Sequence, residues 1–263
     1  GFEIYFAWWP CWFEAHKVTK PKFFGPKLMT KRFDALLFDA GGVFVVPDPL
    51  TTGMVLEPYG GTTSLGALVR CHYAGMAAID AATALQAADS IERISWSSYR
   101  ESYAREAGVP EQKVGEAAAA LLKVFSAFLW HFPLHESVAG LWRLHLLGIR
   151  IGVVSNASGQ IEQTLANENV CQVGEGSGVP VLIVTDSHVV GVAKPEPEIF
   201  DEAIRVMNVP RERIAYIGDS FINDVGGARN AGLSPILLDP YGFHEGADCE
   251  RIKSLHDLID FVS

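Results

Sequence analysis

The sequence predicts an α/β fold, a Rossmann-like parallel sheet core with an inserted helical cap domain, on three observations. Short apolar runs alternate with helical stretches through the second half of the chain, a rhythm that gives a parallel sheet covered on both faces. Several of those runs end on a polar residue followed by a turn, where open α/β sheets place their ligands. A long helical block, not a single crossover helix, follows the first run. The chain has 263 residues, 49% hydrophobic and 20% charged, enough for a globular core carrying a smaller inserted domain.

Residues 1–28, GFEIYFAWWPCWFEAHKVTKPKFFGPKL, are dense in aromatics and show no clear period. They lack the basic start, apolar middle and small-residue cleavage site of a secretory signal, and are read as an upstream or non-native leader. The alternative is an aromatic docking segment. From Met29 the reading is structural. ALLFDAGG gives a strand over Leu36–Phe38, buried on both faces, then Asp39 and the turn signal Ala40-Gly41-Gly42.

A polar, Gly-rich connection leads to helical periodicity from about Ser64 to Leu129, with breaks near Asp89-Ser90 and Gly108-Val109-Pro110. ESVAGLWRLHLLG is a helix stopped by Gly148, and IRIGVVSN is a strand. PVLIVTDS is a strand, PEIFDEAIRVMNV a helix, RIAYIGDS a strand, INDVGGARNAG a helix and LSPILLD a strand. Residues 29–47 and 134–263 thus form the core. Residues 48–133 form the helical cap, over the carboxyl edge of the sheet.

The net charge of −10 and the absence of a dense Lys/Arg run exclude a nucleic-acid surface. No apolar stretch approaches the ~20 residues that span a bilayer, so no membrane partner is expected. Cys11, Cys71, Cys171 and Cys249 are scattered with no CxxC pair, which suits reduced thiols of a cytoplasmic protein better than disulfides or a zinc site.

Four strand or loop ends carry chemistry: Asp39, Ser155 after IGVV, Lys194 before Pro195, and Asp219 with Asp224 in IGDSFINDVGGA. Each has a bland reading alone, as a turn cap, a helix cap, a solvated charge or an N-cap pair. A parallel sheet brings all four to one edge. Three clustered carboxylates repel unless cations compensate, so a hard metal ion together with Lys194 is expected there.

These segments resemble the four motifs of the haloacid dehalogenase-like hydrolase superfamily. Asp39, VVSNAS, KPEPEIF and GDSFINDVGGARNAG stand in the right order over about residues 33–240. The helical block after the first motif is similar to that superfamily's helical-cap branch. The resemblance implies Mg2+ and aspartyl-phosphate chemistry on a small phosphorylated metabolite, by a monomer or homodimer. Asp39 would be the nucleophile. Asp39, the Gly41 carbonyl, Asp219 and Asp224 would hold the metal. Ser155, with the backbone N–H groups from Gly41 to Val43 and near Asn156, would bind the phosphoryl oxygens, and Lys194 would neutralise charge.

One position departs from the pattern. Phosphatases of the superfamily usually carry a second Asp two residues after the nucleophile as general acid–base, and here that position is Gly41. The dehalogenase branch usually has a bulky aromatic there, which Gly41 does not match either. An acid from the cap, with His72 of RCHYAGM the candidate, a leaving group that needs no protonation, or ligand binding without turnover would each account for it. Arg70, Tyr73, Trp96, Tyr99 and Trp130 are further candidates to line the substrate space. The alternative functions are a 2-haloacid dehalogenase and a catalytically weak phospholigand-binding protein.

Overall fold

Four consecutive apolar residues, Ala35–Phe38, form β1 and are fully buried. Side chains alternate along a strand, so this one segment feeds two cores. Leu36 and Phe38 pack on one face of the sheet, Ala35 and Leu37 on the other. The computed structural model describes residues 31–84 and 91–263. The leader reading of residues 1–28 and the helix break near Asp89-Ser90 fall outside them.

The remaining strands are β2 (Val45–Pro47), β3 (Trp130–Pro133), β4 (Arg150–Ser155), β5 (Cys171–Val173), β6 (Val179–Val181), β7 (Val184–Asp186), β8 (Ile214–Gly218), β9 (Ser234–Leu238) and β10 (Glu250–Ile252). The main sheet runs β10-β9-β8-β1-β4-β7 with every pairing parallel. β1 lies between β4 and β8, with Phe38 opposite both Val153 and Ile217. That register sets the residues that follow each of the three strands side by side at the carboxyl edge.

Among the described residues, the α-helices α1 (Pro49–Leu56), α2 (Leu65–Ala84), α3 (Ile91–Glu106) and α4 (Glu111–Val124) lie between β2 and β3. Those two strands pair antiparallel as a stem. The insertion has its own core, with Leu68 and Cys71 of α2 meeting Tyr99 and Tyr103 of α3 and Leu121 of α4. On the main sheet, α5 (His135–Leu146) and α6 (Ile161–Asn167) cover one face through Leu141, Leu144, Ile161 and Leu165. Residues 197–207 cover the other through Ile199, Phe200, Ala203 and Met207. No described helix is long and apolar enough to cross a membrane.

Three local readings of the sequence change. The connection after the first strand contains α1, which Asp48 caps by accepting from the Leu50 and Thr51 N–H groups, with Pro49 in the first turn. Two turns holding Pro, Thr and Gly show no apolar period, so the pattern hid it. PVLIVTDS divides into two strands: β6 pairs with β5 in a separate ribbon, and β7 forms the sheet edge. INDVGGARNAG opens as a π-helical turn, Phe221–Val225, before the α-helix Gly226–Asn230.

Phe38 packs against Phe44 with ring centroids 5.4 Å apart in a fully buried setting. Phe38→Ala is expected to cost about 3–5 kcal/mol in equilibrium denaturation. Leu146→Ala, on a side chain 79% exposed, should change stability by less than about 0.5 kcal/mol.

Candidate active site

The apolar run of β1 stops at Asp39 because the next residues must turn. The Asp39 N–H still bonds the Ile217 carbonyl at 2.8 Å, so the residue is held at the sheet edge. Its Oδ1 accepts from the Ala40 N–H at 2.7 Å and lies 3.0 Å from Lys194 Nζ. The side chain keeps 13% of its surface open. These contacts fix the plane of a carboxylate that solvent can still reach.

Lys194 is buried, and its ammonium donates to Asp224 Oδ1 at 2.7 Å and to the Tyr216 hydroxyl at 2.8 Å. Burial works against its charge, but the Asp224 and Asp39 carboxylates outweigh burial and hold its pKa above the ordinary lysine value. Asn156 sets the backbone of this residue. Its amide donates to the Lys194 carbonyl at 3.0 Å and accepts from the Lys194 N–H at 2.8 Å. Both ends of the Asn156 side chain are thus engaged on Lys194, while its backbone N–H stays apart from these bonds.

Asp219 and Asp224 bracket the turn after β8. Burial raises both carboxyl pKa values, against the pull of His72 on the first and of Lys194 on the second. Oxygens of Asp39, Asp219 and Asp224 all lie within 4.8 Å of one another. With all three ionised and the imidazole on Asp219 neutral, the carboxylates outnumber the ammonium by two charges, an excess that burial opposes by raising the Asp219 and Asp224 pKa values. An all-oxygen cluster with that excess fits a hard divalent cation. Ser155 closes β4 and is 3% exposed. Its hydroxyl makes no hydrogen bond to a described residue.

The turn after Asp39 is shaped by two different glycines. Gly42 has φ +66°, and a Cβ there would stand 2.0 Å from Asp219 Oδ2, so both backbone and space demand glycine. Gly41 is not left-handed, and a Cβ on it would meet only the Trp130 ring, at 3.5 Å. The Gly42 N–H is given to the Val45 carbonyl at 2.9 Å. This corrects the expected phosphate cradle, leaving the N–H groups of Gly41 and Val43.

The helical insertion reaches the same edge through one face of α2. His72 Nε2 lies 2.9 Å from Asp219 Oδ2, and its Nδ1 lies 2.9 Å from the Tyr99 hydroxyl. With Nε2 donating to the carboxylate, Nδ1 accepts from Tyr99, and neither nitrogen faces Asp39 as an acid would. The Tyr73 hydroxyl donates to the Gly42 carbonyl at 2.7 Å. Arg70 is turned away, over the rings of Tyr241 and Phe243.

Asp80, Tyr216 and His244 were not singled out from the sequence. Buried Asp80 accepts from the Ser220 hydroxyl at 2.8 Å and from the Phe221 and Ile222 N–H groups at 2.7 and 3.1 Å. It also pairs with His244 Nε2 at 3.0 Å. One carboxylate on α2 thus ties the insertion to the turn that carries Asp219. The available signal was a lone acid in the apolar stretch GMAAIDAATA. Tyr216, which also donates to the Val154 carbonyl at 2.7 Å, reads in sequence as a strand apolar residue.

The chain matches the family model of haloacid dehalogenase-like hydrolases over residues 33–232. It is 35% identical over 107 residues to a glyceraldehyde 3-phosphate phosphatase of Methanothermobacter thermautotrophicus, covering 41% of this chain and 45% of that one. It is 28% identical over 168 residues to a phosphoserine phosphatase of Thermus thermophilus, covering 63% and 65%. The chain spans about half the length of most curated relatives it matches. Among solved structures, a provisionally assigned HAD hydrolase of Bacillus subtilis bound to magnesium has a similar fold, with TM-score 0.55 and 16% identity. The likeness covers 89% of this chain and all of that one.

Asp80, helped by Asp239 and Asp219, raises the His244 pKa above the ordinary 6.5 although burial opposes it. A raised folded-state pKa adds stability that is complete below the unfolded value and fades as pH climbs through the folded one. The stability gap between wild type and His244→Gln should therefore be widest at acidic pH and narrow under alkaline conditions. Denaturant melts of both proteins across that range check it. A gap that widens with pH contradicts the pairing.

Proposed function

The chain belongs to the haloacid dehalogenase-like hydrolase family, and we propose that within it this protein is a Mg2+-dependent phosphatase. Its substrate is a small phosphorylated metabolite and its intermediate an aspartyl phosphate. The observation that carries this reading is the Asp39 carboxylate, oriented by Ala40 and Lys194 beside two buried carboxylates, Asp219 and Asp224. The phosphatases among its relatives support the same reaction class.

Asp39 attacks phosphorus, and the ester oxygen leaves with the bonding pair. Lys194 holds the nucleophile's charge in place from one side and offsets the transferring group's charge. Ser155 and the N–H groups of Gly41 and Val43 bind phosphoryl oxygens. Asp39, Asp219, Asp224 and the Gly41 carbonyl would hold Mg2+, which lessens the repulsion between an anionic nucleophile and an anionic phosphoryl group. Water then hydrolyses the acyl phosphate and restores Asp39. The residues of the helical insertion that face this edge make it a cap over the substrate.

Gly41 is the specific observation that keeps a second reading open, because halide release from a 2-haloacid needs no acid at that position. Phosphate and halide release assayed in parallel, with and without Mg2+, separate the two. Metal-dependent phosphate release supports the phosphatase, and metal-independent halide release replaces it.

Asp39→Asn keeps the shape and removes the nucleophile. Turnover should fall more than about a hundredfold with the unfolding transition unchanged, and residual activity within about tenfold of wild type contradicts covalent catalysis. Gly41→Asp restores a side chain where the backbone and the Trp130 ring leave room. Alkyl phosphates should then be hydrolysed faster, by up to about a hundredfold, while aryl and acyl phosphates change little. An equal gain on both classes would instead mark an altered metal site.

A further inference from the structure

The aromatic residues of the cap fall into two groups. Tyr99 and Tyr103 are fully buried and serve the core of the insertion. Trp96 and Trp130 do not share that burial. Trp130 is half-buried, and its six-membered ring lies 3.5 Å from the Cβ that Gly41 lacks, two residues from the nucleophile. Trp96 meets Trp130 edge-on, with centroids 6.2 Å apart and planes at 83°, and is 39% exposed. The two indoles, both of which also touch the Tyr99 ring, form an edge-to-face chain from the turn after Asp39 to the exposed part of Trp96.

A large aromatic surface that reaches from a reacting carboxylate to water suits a flat apolar ligand. A second, independent observation constrains the same ligand. The turn after Asp39 offers no acid, and both nitrogens of His72 are committed to Tyr99 and Asp219. Such a site favours a leaving group that departs as an anion stable without a proton.

We infer that Trp130 and Trp96 form the leaving-group subsite and that the substrates are aryl phosphate esters, whose departing group is both planar and a stabilised oxyanion. This inference rests on the phosphatase reading and names its substrate class. The Asp39 carboxylate oxygen forms a bond to phosphorus while the P–O(aryl) bond breaks, and the bonding pair leaves on the aryl oxygen. Water then attacks phosphorus of the aspartyl phosphate, the Asp39–phosphorus bond breaks, and one proton released from that water neutralises the aryloxide. The net reaction consumes one water and yields a phenol and inorganic phosphate.

The test uses the full chain at saturating Mg2+ with three probe classes: substituted phenyl phosphates of graded leaving-group acidity, acetyl phosphate and glycerol phosphate. In the wild type, kcat/KM is expected to climb steeply with the acidity of the phenol and to be lowest for glycerol phosphate. Trp130→Ala should lower the ratio of phenyl phosphate to acetyl phosphate hydrolysis by about tenfold, the scale of a lost aromatic contact, and Trp130→Phe should retain most of it. Because the readout is a ratio within one protein, a partly unfolded variant does not mimic the effect. A ratio unchanged in Trp130→Ala, or glycerol phosphate matching phenyl phosphate in the wild type, overturns the subsite while leaving the phosphatase reading intact. No phosphate release from any probe overturns both.

Discussion

The ammonium of Lys194 holds this site together. It sits within 3.0 Å of Asp39 and 2.7 Å of Asp224, on a side chain that is almost wholly buried. A buried ammonium without partners would be strongly disfavoured, and three unpaired carboxylates would be more so. Each makes the other tolerable. The surrounding structure serves that arrangement: Tyr216 takes a further bond from the ammonium, Asn156 grips the Lys194 backbone at both ends, and Ser220 gives its N–H to Asp224. The charge left over is negative and enclosed by oxygen donors, which is why the site reads as a place for a divalent cation and an anionic substrate rather than as a structural ion pair.

The helical insertion meets this edge through polar contacts, while its apolar residues form a cluster distinct from those of the sheet. His72 bonds Asp219, Tyr73 bonds the Gly42 carbonyl, and Asp80 bonds the turn at Ser220. A hydrogen bond to a charged group contributes ~1.5–3 kcal/mol net, more than one between neutral groups. Such a junction orders the turn at Ser220 and the site beside it through buried polar contacts. It also explains why Asp80 is retained in an otherwise apolar stretch of α2: three donors of the turn at Ser220 need an acceptor.

Much of the fold was legible in the sequence because strand β1 is an apolar run buried on both faces and the βαβ rhythm implies a parallel sheet, whereas its register against β4 and β8 is seen only in the structure. Asp39, Ser155 and Asp219 were found by the rule that ligands gather where such strands end. Lys194 and Asp224 came from the same reading, as charges in loops that a parallel sheet brings to that edge. The pairs that were not legible are long-range. Asp80 and Ser220 are 140 positions apart, and His72 and Asp219 are 147 apart, so no local period announces either. The grip of the Asn156 side chain on the Lys194 backbone, 38 positions away, was not legible for the same reason. Helix α1 escaped because its eight residues include Pro, Thr and Gly, and only the cap at Asp48 marks it.

Covalent catalysis by Asp39 requires that its carboxylate become phosphorylated during turnover. Rapid acid quenching of the protein with phenyl phosphate and Mg2+, followed by peptide mass spectrometry, measures this directly. The expected result is a single hydroxylamine-sensitive phosphoryl group on the peptide that contains Asp39, formed at a rate matching turnover. Turnover with that peptide unmodified, or with the phosphoryl group on Ser155, would contradict it.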